Sequence, residues 1–191
     1  MSAHSPRIMA GGSKSMQDEY FLRRPAPRPY VPTAAVLLIS PAAVKATHHL
    51  LQQAGRNEAC VFWYGLRDGS KAHVRSVRAP AQRSARGNYH VEAEAMSAMV
   101  RDMPEDWRPL AQIHSHPGFD TEHSRYDDVM TSSRKILSVV FPAYGKLVAS
   151  WPDGLGVHEW QVDYWHMLSA QQVKTRLCLE GVDSVDMRDF R

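Results

Sequence analysis

The seven residues Cys60–Leu66, CVFWYGL, carry no side-chain polar group beyond one tyrosine hydroxyl, one indole N–H and one thiol. A run this apolar, of strand length and rich in aromatics, belongs inside a sheet with both faces covered. Asp68-Gly69 then marks a hairpin turn, and Ala72 to Arg78 is the returning strand. Any fold for this chain therefore needs a sheet and layers on each side of it.

The rest of the chain supplies both. Val36 to Ile39 reads as a buried strand, and Ser40-Pro41 as a helix start, with serine as the N-cap and proline in the first turn. The helix is expected to run to Gln53, with Val44, Thr47 or His48, and Leu51 on one face, and to stop at Gly55. Gln82 to Asn88 is a polar loop. Val91 to Met103 repeats apolar residues at helical spacing and is closed by Pro104. Leu110 to Ile113 is a short strand. Ser124 opens another helix. Leu137 to Pro142, Lys146 to Trp151 and Val157 to Tyr164 read as three further strands. Residues 167–191 are expected to form a helical extension or tail, with helical pattern from Met167 to Leu179. The sum is a single α/β (α+β) domain over residues 34–166, a mixed sheet flanked by helices.

Residues 1–33 differ in kind. Pro25, Pro27, Pro29 and Pro32 block helix and favour extended chain. Five basic residues (Arg7, Lys14, Arg23, Arg24 and Arg28) face two acidic ones (Asp18 and Glu19), which is the whole net charge of +3. The folded part is neutral in sum and carries no electrostatic footprint for nucleic acid. Either this arm is a disordered leader, or Tyr20, Phe21 and Tyr30 pin it to the domain or to a partner. No apolar run approaches the roughly 20 residues of a membrane span, and no signal-peptide core is evident. Cys60 and Cys178 lie far apart without CxxC spacing, so a reducing, cytoplasmic setting is expected.

The chemistry lies in His114-Ser115-His116-Pro117 and, downstream, Ser124-Arg125-Tyr126-Asp127. Residues i and i+2 of an extended chain share a face, so both imidazoles can approach one metal ion. Pro117 and Gly118 turn the chain, and the loop lets the next helix return. Ser124 and Asp127 have capping-box spacing, which alone would explain them as helix-start chemistry. Asp127 supplies a third, anionic ligand if it faces the histidines. His-His-Asp with an open fourth position is what a catalytic zinc ion requires. A hydrolytic site also needs a base that is not a ligand. Glu58, beside the apolar strand, is the best candidate, and Glu92, Glu94 and Glu105 are rivals that read as solvated. Ser124 has a second possible role, donating to the oxyanion on the carbonyl under attack. His4, His48, His49, His73, His90, His158 and His166 read as surface or core polar residues. His123 borders Ser124 and is within reach of a metal or substrate.

Glu58, then HxH, then seven residues beginning with Pro117, then SxxD resembles the JAB1/MPN/Mov34 family, the JAMM metalloproteases, over roughly residues 35–165. Gly65 fits the second glycine of the E-x-x-G-x-x-x-G start of many bacterial members, while Val61 replaces the first. The resemblance implies an α/β domain with a curved mixed sheet between helices. It implies Glu58 as base, His114, His116 and Asp127 as Zn2+ ligands, and Ser124 as oxyanion stabiliser. It implies cleavage after the C-terminal glycine of a ubiquitin-like protein, by deconjugation or precursor processing. Bacterial members work beside ubiquitin-like activating and conjugating enzymes, including in antiphage defence. Three rivals stand: a RadC-like DNA-repair-associated protein, a non-catalytic MPN scaffold, and cleavage of a cysteine adduct on a sulfur-carrier protein.

Overall fold

A computed structural model describes residues 26–146, 150–181 and 184–191. Its strands are β1 (Val36–Ile39), β2 (Cys60–Asp68), β3 (Lys71–Ala79), β4 (Arg83–Ala85), β5 (Asn88–His90), β6 (Arg108–Ser115), β7 (Leu137–Phe141), β8 (Gly156–Gln161), β9 (Tyr164–Met167), β10 (Leu177–Leu179) and β11 (Asp186–Asp189). Among the described residues four α-helices accompany them: α1 (Pro41–Gln52), α2 (Ala93–Val100), α3 (Arg125–Met130) and α4 (Ala170–Arg176). The main sheet runs β10-β1-β3-β2-β6-β7-β8-β9. It is mixed: β1 lies parallel to β3 and β10, and β6 parallel to β7, while β2 is antiparallel to both its neighbours. This is the expected mixed α+β fold.

The strand β2 shows why the CVFWYGL run is apolar throughout. Val61 and Trp63 point into the larger core, which α1 covers with Ala43, Ala46 and Leu50. Cys60, Phe62 and Tyr64 point the other way, into a second core with Tyr89 and Met99. Burying one such large side chain is worth roughly 1.5–3 kcal/mol. The indole N–H of Trp63 donates to Thr47 Oγ1 at 2.8 Å, which satisfies the polar atom that this burial carries inside.

The start of α1 follows the sequence reading, with Ser40 Oγ accepting from Ala43 N at 3.0 Å and Pro41 leading the first turn. Gly55 beyond its end sits at φ +66°. Gly65 has a different reason to be glycine: a Cβ there would lie 1.9 Å from the carbonyl oxygen of His73, where the β2–β3 register shifts.

Several expectations need correction. The loop 82–88 contains a small hairpin, β4–β5. The stretch 157–164 is two strands, because Val162 and Asp163 both take φ near +50° and reverse the chain as a type I′ turn. A valine in that conformation is unusual and gives no turn signal in sequence. The expected strand 146–151 falls largely on 147–149, outside the described residues. The C-terminal segment is less helical than expected. Only Ala170–Arg176 is helix, and β10 and β11 then join the main sheet, β11 extending the edge of β3 that β1 begins.

The arm proposal can be judged at Tyr30; Tyr20 and Phe21 lie outside the described residues. Tyr30 stacks on His166, with centroids 4.0 Å apart, and its hydroxyl donates to Glu159 at 2.8 Å. Thr33 adds two more hydrogen bonds to the same carboxylate. Among the described residues, no helix is long and apolar enough to cross a membrane.

Candidate metal centre

The pairing of β2, β6 and β7 assembles the site at one end of the sheet. His114 lies on β6 between Cys60 of β2 and Val140 of β7. Its side chain takes the same face as Gln112, whose amide donates to the Tyr89 hydroxyl at 2.9 Å. His116, two residues on, continues the line: its N–H donates to the Phe141 carbonyl at 2.9 Å. The helix α3 then returns toward the strand end. Ser124 Oγ accepts from Asp127 N at 3.2 Å, and the Asp127 carboxylate accepts from the Ser124 N–H at 2.7 Å, a complete capping box.

The box and the ligand role are therefore compatible. One Asp127 carboxylate caps the helix and reaches the histidines. His114 Nε2 stands 3.1 Å from His116 Nε2 and 3.4 Å from Asp127 Oδ1, and His116 Nε2 stands 3.4 Å from Asp127 Oδ2. Ligands about 2.0–2.1 Å from a tetrahedral ion lie about 3.3 Å from one another, and each histidine finds one of the two Asp127 oxygens near that separation. Among the described residues these three form the group able to hold a metal ion.

The protonation states suit a cation. The Asp120 carbonyl lies 2.9 Å from His116 Nδ1, and a carbonyl only accepts. Nδ1 therefore carries the proton, and Nε2 is turned to the centre. Burial pushes His114 down to about 4, against the pull of Asp127, so this ring is neutral at pH 7. Burial disfavours ionised Asp127, yet His114, the hydrogen bond to His116 and His123 outweigh it and hold the carboxyl well below its usual range. Burial disfavours protonated His116, but Asp127 outweighs it and raises that pKa, so the centre gathers a buried negative charge that a proton or a cation relieves.

Glu58 sits just before β2, its N–H donating to the Ala85 carbonyl at 2.7 Å, and is 4% exposed. Burial raises its pKa to about 8, with His116 lowering and Asp127 raising it. The next residue, Ala59, pairs with Ser115 between the two histidines, which places Glu58 beside the ligand group. The rival carboxylates lie elsewhere: Glu92 pairs with Arg83 at 2.7 Å on the surface, and Glu94 and Glu105 are exposed. Ser124 Oγ also donates to Asp127 Oδ2 at 2.7 Å, so in this conformation its proton serves the ligand carboxylate.

His123 does not join the ligand group. Its Nδ1 faces Asp128 Oδ1 at 3.0 Å and its Nε2 faces Ser138 Oγ at 2.8 Å. The ring stacks on His158 at 3.8 Å and backs His114 at 5.6 Å. The supporting roles of Ser115 and Asp120 are not visible in sequence. Ser115 is the unremarkable middle residue of HxH, and Asp120 acts through its backbone carbonyl, which any residue has.

Fold and site together define an α+β domain with a metal-capable His-His-Asp centre at the end of a mixed sheet. Neither a family model nor a curated protein matches the chain. In fold, 175 solved chains match it. One is the solution structure of protein DSY2949 from Desulfitobacterium hafniense, with TM-score 0.57 and 18% identity, covering 76% of this chain and 93% of that one. At that identity the likeness concerns the fold alone.

Proposed function

We propose that this chain is a zinc-dependent hydrolase of the JAMM type, with His114, His116 and Asp127 as the zinc ligands. The observation that carries this reading is the pairing of a three-donor centre with a buried carboxylate, Glu58, that borders it without belonging to it. A structural zinc site fills four protein ligands, whereas three leave a position for reaction. When bound, zinc supplies Lewis acidity that acidifies water and polarises the scissile carbonyl.

Glu58 takes the proton of the attacking water and passes it to the departing amine. Its apolar setting, which raises its pKa above the ordinary carboxylate value, helps it hold that proton until it is passed to the amine. The Ser124 hydroxyl turns its proton from Asp127 to the oxyanion that forms on the carbonyl. Asp127 retains the Ser124 backbone N–H, so its carboxylate stays positioned during that turn.

The substrate class follows from the motif resemblance: a peptide or isopeptide bond after the C-terminal glycine of a ubiquitin-like protein, within a bacterial conjugation or antiphage defence system in the cytoplasm. The matching activating and conjugating enzymes are its partners in that setting. The test uses ubiquitin-like proteins carrying a C-terminal fusion, incubated with the zinc-loaded chain and with Glu58→Gln. Cleavage after the terminal glycine, slowed 10²–10⁴-fold in the variant while zinc is retained, is expected of a lost general base. Full-rate cleavage by Glu58→Gln removes Glu58 as the base, and no cleavage by a zinc-loaded chain removes the substrate class.

A further inference from the structure

We infer that the end of the sheet remote from the metal centre holds a second site, for a phosphorylated small molecule. A cavity of about 330 Å3 opens there, where β2 ends and β6 and β7 begin. That volume falls within the range of small-ligand pockets. Arg67, Arg134 and Lys135 line it, together with Trp160 and the Arg176–Glu159 ion pair, over a floor of leucines.

The charges in this cavity are unequally matched. The Glu159 carboxylate is saturated from within: it accepts from Tyr30 Oη at 2.8 Å, Thr33 N at 2.9 Å, Thr33 Oγ1 at 3.0 Å and Arg176. Arg176 and Glu159 thus neutralise each other. Arg67 and Lys135 have no ion pair or side-chain hydrogen bond among the described residues, so nothing there balances them. Arg134 lies over the Trp160 ring at 4.2 Å. This cation–π contact anchors the guanidinium beside the cavity, and a guanidinium can contact an oxyanion in bidentate fashion through its N–H groups.

Residues 34–191 are neutral in sum, so three unbalanced cations around one concavity are a local concentration and not a basic surface. A concave, low-dielectric wall focuses such a field and draws anions. One carboxylate would leave two of the charges unmatched. A diphosphate matches all three, with its organic part against the leucine floor. The site shares no residue with the hydrolytic centre, so it stands whether or not the chain is a hydrolase.

Isothermal titration of the full chain with ADP, pyrophosphate and adenosine, at constant ionic strength and without magnesium, tests the assignment. ADP and pyrophosphate should bind saturably, adenosine should not, and Arg134→Ala/Lys135→Ala and Arg67→Ala should each weaken binding at least about tenfold. These side chains are exposed, and unchanged thermal midpoints would confirm that the variants fold. The same affinities in His116→Ala would separate this site from binding at the metal ligands. The site is ruled out by a lack of saturable binding, by undiminished binding in the Arg and Lys variants, or by loss of binding in His116→Ala.

Discussion

Ala59 and Ser115 hold each other by two hydrogen bonds: Ser115 N donates to Ala59 O at 3.1 Å, and Ala59 N donates to Ser115 Oγ at 3.2 Å. Ala59 follows Glu58, and Ser115 separates His114 from His116. The pair therefore sets the distance between the proposed base and two ligands. Both residues are fully buried, so Ser115→Ala leaves a buried N–H without its partner, which costs about 1–3 kcal/mol. Thermal unfolding should show that loss, together with a fall in turnover larger than any fall in zinc content. An unchanged thermal midpoint would show that the side-chain bond does not brace the site.

Ser124 is expected to act on the metal through Asp127. Ser124→Ala removes the hydroxyl that donates to Asp127 Oδ2 and accepts from Asp127 N. The lost cap costs about 1 kcal/mol. Loss of a group that orients a ligand weakens metal binding about 10–100-fold. Competition with a chelating dye measures the second effect, and wild-type zinc affinity would confine Ser124 to helix capping or oxyanion contact.

Glu58 should leave a signature in the metal-free protein. Its folded pKa of about 8 lies above the ordinary 4.5, chiefly through burial. Between those values the folded chain holds the proton more tightly than the unfolded chain. Its contribution to stability is full below about 4.5 and is lost as pH rises through about 8. His114 works in the opposite sense: lowered from 6.5 to about 4, it contributes above 6.5 and loses that contribution as pH falls toward 4. Comparing wild type with Glu58→Gln in chelator cancels the histidine. The thermal midpoint of wild type should fall relative to the variant between pH 5 and 8. A constant difference would place the Glu58 carboxyl in solvent.

Gly65→Ala tests the sheet itself. The new methyl would sit 1.9 Å from the His73 carbonyl and 3.0 Å from Arg75 N, both backbone atoms that cannot step aside cheaply. A loss of about 3 kcal/mol or more is expected in denaturant unfolding. Wild-type stability would mean that β2 and β3 do not approach as closely as described.

The convergence of His114, His116 and Asp127 was legible because its spacing is local. HxH needs only an extended strand, and SxxD only a helix start, and each motif dictates its own backbone. Glu58 was legible through its apolar neighbours, and burial at 4% is the physical content of that reading. What escaped depends on partners distant in sequence. Leu177–Leu179 and Asp186–Asp189 are too short to show strand periodicity and become strands only because β1 and β3 offer open edges. The Val162-Asp163 turn escaped because valine, a β-branched residue, rarely takes positive φ and so gives no turn signal at its first position. The arm was half legible: Tyr30 was named as an anchor, but nothing in sequence pointed to His166 and Glu159 as its dock.

Anomalous diffraction at the zinc edge, from crystals of the chain grown with one equivalent of zinc, tests the metal centre directly. One strong peak should lie about 2.0–2.2 Å from His114 Nε2, His116 Nε2 and an Asp127 carboxylate oxygen, with Glu58 beside it and outside the coordination shell. A zinc ion bound elsewhere, or Glu58 serving as a fourth ligand, would contradict the proposed catalytic centre.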